Sequence, residues 1–247
     1  MMQKRRIRVG TSGWHYDHWK GPFYPEDTSS AAMLDFYVTH FDTVEINNSF
    51  YQLPRPETLR HWRSCTPPGF VFAFKASRYI THMKKLKEPA ESLPKMFQAA
   101  GELGNKLGPI LFQLPPRWRV NPDRLQRFLD ALPDGHRYTF EFRDPSWFDD
   151  RIYTILESRN AAFCQYQLEG RLSPKAITAD FVYIRLHGPA EQAYQGSYDV
   201  QTLAGWAGAL TAWRRQEKTI YCYFDNDQAG YAAQNALQLQ EMVSGDS

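Results

Sequence analysis

Short apolar segments rich in β-branched and aromatic residues recur along the whole chain, and most of the stretches between them are long enough for a helix. Such alternation predicts a parallel sheet flanked by helices, and eight repeats favour a closed barrel over an open doubly wound sheet. The eight segments are IRVG at 7–10, TVEIN at 43–47, FVFAFK at 70–75, PILFQL at 109–114, YTFEFR at 138–143, AAFCQY at 161–166, FVYIRLHG at 181–188 and TIYCYFDND at 219–227. The clearest helical sequences are SSAAMLDFYVTHF at 29–41, NPDRLQRFLDAL at 121–132 and DNDQAGYAAQNALQLQEMV at 225–243.

The length of the chain fits one barrel domain. Its 247 residues are close to the ~250 typical of a (β/α)8 TIM barrel, and no Gly- or Ser-rich linker, repeat or low-complexity tract divides them. We therefore predict a single α/β TIM-barrel domain over residues 1–247. The stretch 167–180 is the exception to the alternation, because Gly170 and Pro174 leave little room for a helix, and we expect a loop or a short turn there.

Several predicted strands alternate apolar and polar residues with a period of two, although buried parallel strands are normally apolar throughout. In TVEIN, Val44 and Ile46 share one face, and Glu45 and Asn47 share the other. If the apolar face packs on the helices, the polar face lines the barrel. The polar faces of the other strands carry Lys75, Gln113, Thr139, Glu141, Arg143, Tyr183, Arg185, His187, Tyr221, Tyr223, Asp225 and Asp227.

Most of these polar residues lie in the second half of their strands, which is the end where TIM barrels build their active sites. The pattern predicts that Glu45, Glu141, Asp225 and Asp227 meet Lys75, Arg143 and Arg185 there, with His187 as a group that titrates near neutral pH. A structural network of ion pairs explains such a cluster as well as a functional site does.

Glu45 and Glu141 are the best candidates for acid or base catalysis, because a carboxylate flanked by apolar strand residues can acquire a useful pKa. His187, just before Gly188 and Pro189, is a third catalytic candidate, although a histidine at a strand end is often structural. Lys75 fits an electrostatic clamp for an anion better than a Schiff base.

A metal site is an alternative that would draw on Glu45, Glu141, His187 and Asp225. The nearby cations compete for those carboxylates, and no HExxH or comparable spacing is present. We therefore assign no metal ligand, and the cofactor stays open.

The segment KASRYITHMKKLKEP at 75–89 follows the third strand and mixes basic and aromatic residues. It could cover a bound phosphate or nucleic acid, while a solvated surface loop explains the lysines equally well. Arg78 and Tyr79 are the better functional candidates because they lie nearest the strand.

The overall charge is too small to identify a partner. A net charge of +2 gives no reason to expect an anionic membrane, and a nucleic acid is left open only by the local basic segment. The N-terminal MMQKRRIRVGTSGW lacks the apolar run of a signal peptide or an anchor, so a cytoplasmic location is expected by default. The three cysteines have no metal-ligand spacing.

The motifs together closely resemble the domain of unknown function 72 family, also called YecE-like. They are VGTSGWHYDHWKGPFYP at 9–25, FDTVEINNSFYQLPRPET at 41–58, FAFKASRYITH at 72–82, LGPILFQLPP at 107–116, FEFRDPSWF at 140–148, YIRLHG at 183–188 and YFDNDQAGYAAQNAL at 223–237. The resemblance covers nearly the whole chain and implies a TIM barrel without an established reaction. The positions that carry the family motifs are Glu45, Asn47, Tyr51, Lys75, Arg78, Tyr79, Gln113, Glu141, Arg143, Arg185, His187, Asn226 and Asp227.

Two positions depart from the family pattern. The sixth strand reads FCQYQLEGRLSP instead of an acidic, proline-containing stretch, so a carboxylate role there is in doubt. Asp225 stands where the family pattern leads us to expect Asn, which makes the eighth predicted strand more acidic.

Three functional hypotheses follow. The first is an enzyme that acts on a small anionic, phosphorylated or sugar-like substrate by proton transfer through Glu45 or Glu141. In it, Asn47, Tyr51, Lys75, Arg78, Tyr79, Gln113, Arg143, Arg185, Tyr223, Asn226 and Asp227 bind the substrate. The second is a metal-assisted hydrolase or endonuclease-like phosphodiesterase. The third is a barrel that binds a ligand without converting it.

Overall fold

The computed structural model describes residues 7–244, and all eight predicted strands form within a few residues of their predicted bounds. The strands are β1 (Ile7–Thr11), β2 (Thr43–Ile46), β3 (Val71–Lys75), β4 (Leu107–Gln113), β5 (Tyr138–Glu141), β6 (Ala162–Leu168), β7 (Arg171–Leu172), β8 (Phe181–Leu186) and β9 (Thr219–Phe224). The short β7 is additional to the prediction. The cytoplasmic location is expected from the N-terminal residues 1–14, and residues 1–6 of that stretch lie outside the described part of the chain.

Helices separate most of the strands, as the alternation predicts. They are α1 (Met33–Tyr37), α2 (Pro56–Cys65), α3 (Pro89–Gly101), α4 (Pro122–Asp130), α5 (Asp150–Glu157), α6 (Val200–Arg215) and α7 (Tyr231–Ser244). Local sequence explains where several of them begin. The Asn121 side chain accepts a hydrogen bond from the Arg124 amide at 2.9 Å, and Pro122 takes the first helical position of α4. The Asp199 side chain caps α6 by accepting a hydrogen bond from the Thr202 amide.

The strands follow one another in the order β1, β9, β8, β6, β5, β4, β3, β2, and a parallel bridge joins Ser12 to Glu45. Eight parallel strands alternating with helices form the α/β TIM-type fold that the sequence predicts, so the fold class is confirmed. None of the helices in the described part of the chain has the length and apolar character needed to cross a membrane.

Contacts between residues group the described chain into two compact units. The first unit holds residues 7–45, 165–175 and 180–244, and the second holds residues 46–164 and 176–179. A single domain over residues 1–247 stays a prediction.

In the first unit, β9 pairs in parallel with β1 and β8, and Cys222 lies between Val9 and Ile184 in the register. The predicted loop at 167–180 contains a tight antiparallel hairpin, in which Leu168 pairs with Arg171. Glu169 and Gly170 form its turn with φ of 51° and 70°. Positive φ at both turn residues is what a two-residue hairpin of this type requires, and it explains why Gly170 stands there.

In the second unit, β4 pairs in parallel with β3 and β5, and the apolar faces of the strands pack on helices as predicted. The Phe112 ring lies 5.2 Å from that of Phe140 and 5.0 Å from that of Phe128 on α4. All three rings are fully buried. The strand residues next to Phe112 and Phe140 therefore point to the opposite face. Two of them, Gln113 and Glu141, are register partners.

Candidate functional site

A fully buried guanidinium, that of Arg185 on β8, is the centre of a cluster in the first unit. Arg185 Nε lies 3.1 Å from both carboxylate oxygens of Glu45, and Nη2 donates to Glu45 Oε1 at 2.8 Å. The same Nη2 donates to Asp225 Oδ2 at 2.8 Å. We call Ser12, Glu45, Tyr183, Arg185, His187 and Asp225 the arginine cluster. One cation is thus shared by two buried carboxylates, which the low dielectric interior requires to be paired.

Both oxygens of Glu45 have donors besides the arginine. The Ser12 hydroxyl donates to Oε1, and the Tyr183 hydroxyl donates to Oε2 at 2.6 Å. Burial raises the pKa of Tyr183 well above its usual value, and the Glu45 charge raises it further. Tyr183 therefore keeps its proton and remains a hydrogen-bond donor to the carboxylate.

His187 joins the cluster at the end of β8 and is completely buried. Its Nδ1 lies 3.0 Å from Asp225 Oδ2, and its Nε2 lies 3.4 Å from Arg185 Nη1. A guanidinium only donates, so Nε2 faces it as an acceptor, and Nδ1 faces the Asp225 carboxylate. The His187 ring meets the rings of Tyr166 and Tyr194 edge to face, with centroids 6.3 and 5.6 Å away.

In the first unit, Asp227 lies two positions after Asp225 and has the more exposed side chain of the two. Its carboxylate lies 3.5 Å from His18 Nε2, and burial raises its pKa, with a further rise caused by the charge of Asp225. The Tyr16 hydroxyl donates to the Ser12 carbonyl at 2.7 Å. Burial and then the charges of Asp225, Asp227 and Glu45 raise the pKa of Tyr16, so this side of the cluster is acidic.

Two predicted site residues of the first unit have other partners. Asn226 donates from Nδ2 to the Gly196 carbonyl at 2.9 Å and to Asn235 Oδ1 at 3.0 Å, and so holds the loop that follows β8. The Tyr223 hydroxyl lies 2.7 Å from Thr43 Oγ1, deep among buried side chains. Neither contact joins them to Arg185.

In the second unit, Glu141 and Arg143 form an ion pair through Glu141 Oε1 and Arg143 Nε. Two positions apart at the end of β5, they lie on the same face, as the period of two predicts. Glu141 Oε2 lies 3.8 Å from the Cys164 thiol, a weak donor. Gln113, the register partner of Glu141, turns its amide to the Leu114 carbonyl at 2.9 Å.

Lys75 at the end of β3 lies over the ring of Phe50. Its Nζ is 4.4 Å from the ring centroid, and the Ser49 hydroxyl donates to the Lys75 carbonyl at 2.5 Å. The His82 ring meets the same Phe50 ring edge to face at 5.0 Å. One aromatic side chain therefore contacts both Lys75 and His82.

His82 is surrounded by positive charge. Burial, followed by the charges of Lys75, Arg78 and Arg143 in that order, lowers its pKa from 6.5 to about 4. We call these four residues the cationic cluster. His82 lies in a π-helical turn, Tyr79–Met83, a rare element that is frequent at functional sites.

The remaining predicted residues of the second unit are more exposed than Lys75. Asn47 is partly buried, Tyr51 and Tyr79 keep 72% and 43% of their surface in contact with solvent, and Arg78 of the cationic cluster is exposed as well. Lys84 Nζ lies 5.8 Å from the centroid of the Tyr79 ring.

The structure thus brings the predicted residues together in two groups, one in each unit. Arg185 contacts Glu45, His187 and Asp225, and Glu141 contacts Arg143. The predicted meeting of both groups at one barrel mouth stays a prediction. Among the described residues, no three His, Cys, Asp or Glu side chains are placed to hold a metal ion together.

Sequence reasoning missed Ser12, Tyr16 and His82 as site residues. Ser12 directly follows β1, and the strand-end rule that selected the other polar residues would also have selected it. His82 has no such signal, because its surroundings depend on Phe50 and Arg143, which are distant in sequence.

Known proteins resemble this chain over nearly its whole length. A family model described as "Protein of unknown function DUF72" matches residues 8–247. The chain is 28% identical to the UPF0759 protein YunF of Bacillus subtilis, with 96% of this chain and 94% of that protein covered. It is 31% identical to the UPF0759 protein YecE of Escherichia coli K12, over 58% of this chain and 50% of that protein.

Solved structures share the fold. A DUF72 family protein of Thermotoga maritima is 28% identical and superimposes with a TM-score of 0.88, with 96% of this chain and 99% of that chain covered. A DUF72 family protein of Enterococcus faecalis, 20% identical over 96% of this chain and 95% of that chain, has a TM-score of 0.82 and supports the fold alone.

Proposed function

The chain belongs to the family of proteins of unknown function DUF72, and from this premise we propose that it is an enzyme that moves a proton to or from a small anionic substrate. The observation that carries the proposal is the cationic cluster, in which Lys75 and His82 contact the same Phe50 ring and the charges of the three cations lower the pKa of His82. Three cations at the ends of β3 and β5 attract an anionic group, such as a phosphate or a carboxylate. A neutral sugar would gain much less from these charges.

Glu141 is the base or acid in this proposal. It lies on the same unit as the cations, and Arg143 holds one of its oxygens. A substrate anion that binds Arg143 competes with Glu141 for the guanidinium and so makes the carboxylate more basic, because an opposite charge nearby favours the ionised form. Binding and activation of the base are then one event.

Glu45 and His187 serve in this proposal as positioning groups. Arg185, Ser12 and Tyr183 occupy both oxygens of Glu45, and His187 is buried between Asp225 and Arg185. Proton exchange with a substrate would break several of these bonds in a low dielectric, at a cost of several kcal/mol, on the order of that for breaking a buried ion pair. Glu141 instead lies beside the cations that would hold the substrate, since Arg143 is its ion-pair partner.

The test combines binding and turnover. Thermal-shift screening of phosphorylated and carboxylated small molecules identifies stabilising compounds, and mass spectrometry of the incubated mixtures detects conversion. We expect Lys75→Met to lose the stabilisation and Glu141→Gln to keep it while turnover falls by about 10²–10⁴-fold. Lys175→Met is a matched control, because Lys175 lies over the Trp206 ring at 5.2 Å in the other unit.

Two results would contradict the proposal. If the Lys75→Met protein is stabilised by the same compounds as the unmodified protein, the cations do not hold the ligand. If compounds stabilise the protein and none is converted, or if Glu141→Gln converts them at the full rate, the protein is a binding barrel or uses another base.

A further inference from the structure

Exposed aromatic surface lies next to the cationic cluster. Of the large apolar side chains most exposed in the described chain, Tyr51 at 72%, Met83 at 67% and Tyr79 at 43% belong to the two segments that follow β2 and β3. The same two segments supply Phe50, Arg78 and His82, and Lys75 is the last residue of β3. Single exposed apolar residues are ordinary on protein surfaces, whereas several beside a charged site mark a contact surface for a ligand.

Ring contacts tie Tyr51 to the cations. The Tyr51 ring meets the Phe50 ring edge to face with centroids 5.0 Å apart, and Phe50 contacts both Lys75 and His82. Tyr51 is therefore one aromatic ring away from Lys75. Tyr51 keeps 72% of its surface in contact with solvent, and an accessible aromatic ring is a surface on which another flat ring stacks.

We propose that the ligand of this site is an anion that carries an aromatic ring, with its charged group on Lys75, Arg78 and Arg143 and its ring stacked on Tyr51. This inference rests on the anion site of the proposed function and adds the chemical class of the substrate. Charge complementarity selects the anionic end, and the ring contacts of Phe50 with Tyr51 and with Lys75 place an exposed ring and a cation on either side of one aromatic side chain. Tyr79, next to Arg78 in the chain, is a second ring at the border of the cluster.

The experiment compares three probes that differ only in what is attached to the phosphate. Isothermal titration measures the Kd of inorganic phosphate, phenyl phosphate and cyclohexyl phosphate for the full chain. We expect phenyl phosphate to bind about tenfold more tightly than inorganic phosphate, which corresponds to ~1.4 kcal/mol. Cyclohexyl phosphate, which has the bulk but no flat ring, should fall between them.

Variants separate the ring from the charge. Tyr51→Ala should bring the phenyl phosphate affinity down to that of inorganic phosphate and leave inorganic phosphate unchanged, while Tyr51→Phe should keep the preference because it keeps the ring. Leu172→Ala, which truncates an exposed apolar residue of the other unit, should change neither affinity. Lys75→Met should weaken all three probes.

The outcomes distinguish this inference from the proposed function. If the probes bind with equal affinity and Lys75→Met weakens them all, the anion site stands and the aromatic class is overturned. If Tyr51→Ala leaves the preference intact, the ring does not stack there, and the inference is likewise overturned. Failure of every probe to bind overturns both. A dimer in solution that Tyr51→Ala dissociates would assign the exposed ring to a second copy of the chain and also overturn the inference.

Discussion

The buried guanidinium of Arg185 gives the sharpest test of the arginine cluster. Arg185→Met keeps most of the side-chain volume and removes the guanidinium charge that pairs with both Glu45 and Asp225. Each carboxylate then lies in the interior facing a thioether instead of a cation. Removal of one partner from a buried ion pair costs about 3–5 kcal/mol, and we expect the free energy of unfolding to fall by that amount.

A urea titration followed by both tryptophan fluorescence and far-UV circular dichroism measures this change. Arg151→Met is the matched control, because Arg151 is 67% exposed and lies 3.4 Å from Asp123, which is 75% exposed. The control should lose less than about 1 kcal/mol, as exposed pairs do. The double variant Arg185→Met with Glu45→Gln should recover part of the loss, with a coupling energy of about 0.5–3 kcal/mol.

The reasoning fails if Arg185→Met costs no more than Arg151→Met. It also fails if the double variant loses the full sum of the two single changes, because Glu45 and Arg185 would then not interact across the cluster.

Two further predictions concern single groups. His82 should stay neutral down to a pH of about 4 in an NMR titration, and Lys75→Met should raise its pKa toward 6.5. The unfolded chain binds this proton at a higher pH than the folded chain does. The contribution of His82 to stability is therefore complete above a pH of about 6.5 and is lost as the pH falls from 6.5 to 4. A His82 resonance that titrates near 6.5 would contradict the charge assignment. Tyr183→Phe removes the hydroxyl that donates to Glu45 at 2.6 Å and should cost about 1.5–3 kcal/mol in chemical denaturation, whereas an unchanged midpoint would show that this bond adds nothing to stability.

The sequence by itself determined the strands and the direction of their side chains. The period of two predicts that Tyr183 and Arg185 share a face, and both contact Glu45. The same rule predicts that Glu141 and Arg143 share a face, and they pair with each other. Apolar and polar residues alternate in these strands because one face packs on helices while the other carries polar groups. The alternation is therefore a local property of each strand, which the sequence alone shows.

Only the tertiary structure decided which charges meet. Arg185 lies 140 positions from Glu45 and 40 from Asp225, and no local pattern links a residue to partners on other strands. The pKa of His82 depends in the same way on Arg143, which a different strand supplies. Strand register sets these pairings, and register follows from the packing of the whole sheet, so the sequence predicted candidate residues while the fold selected their partners.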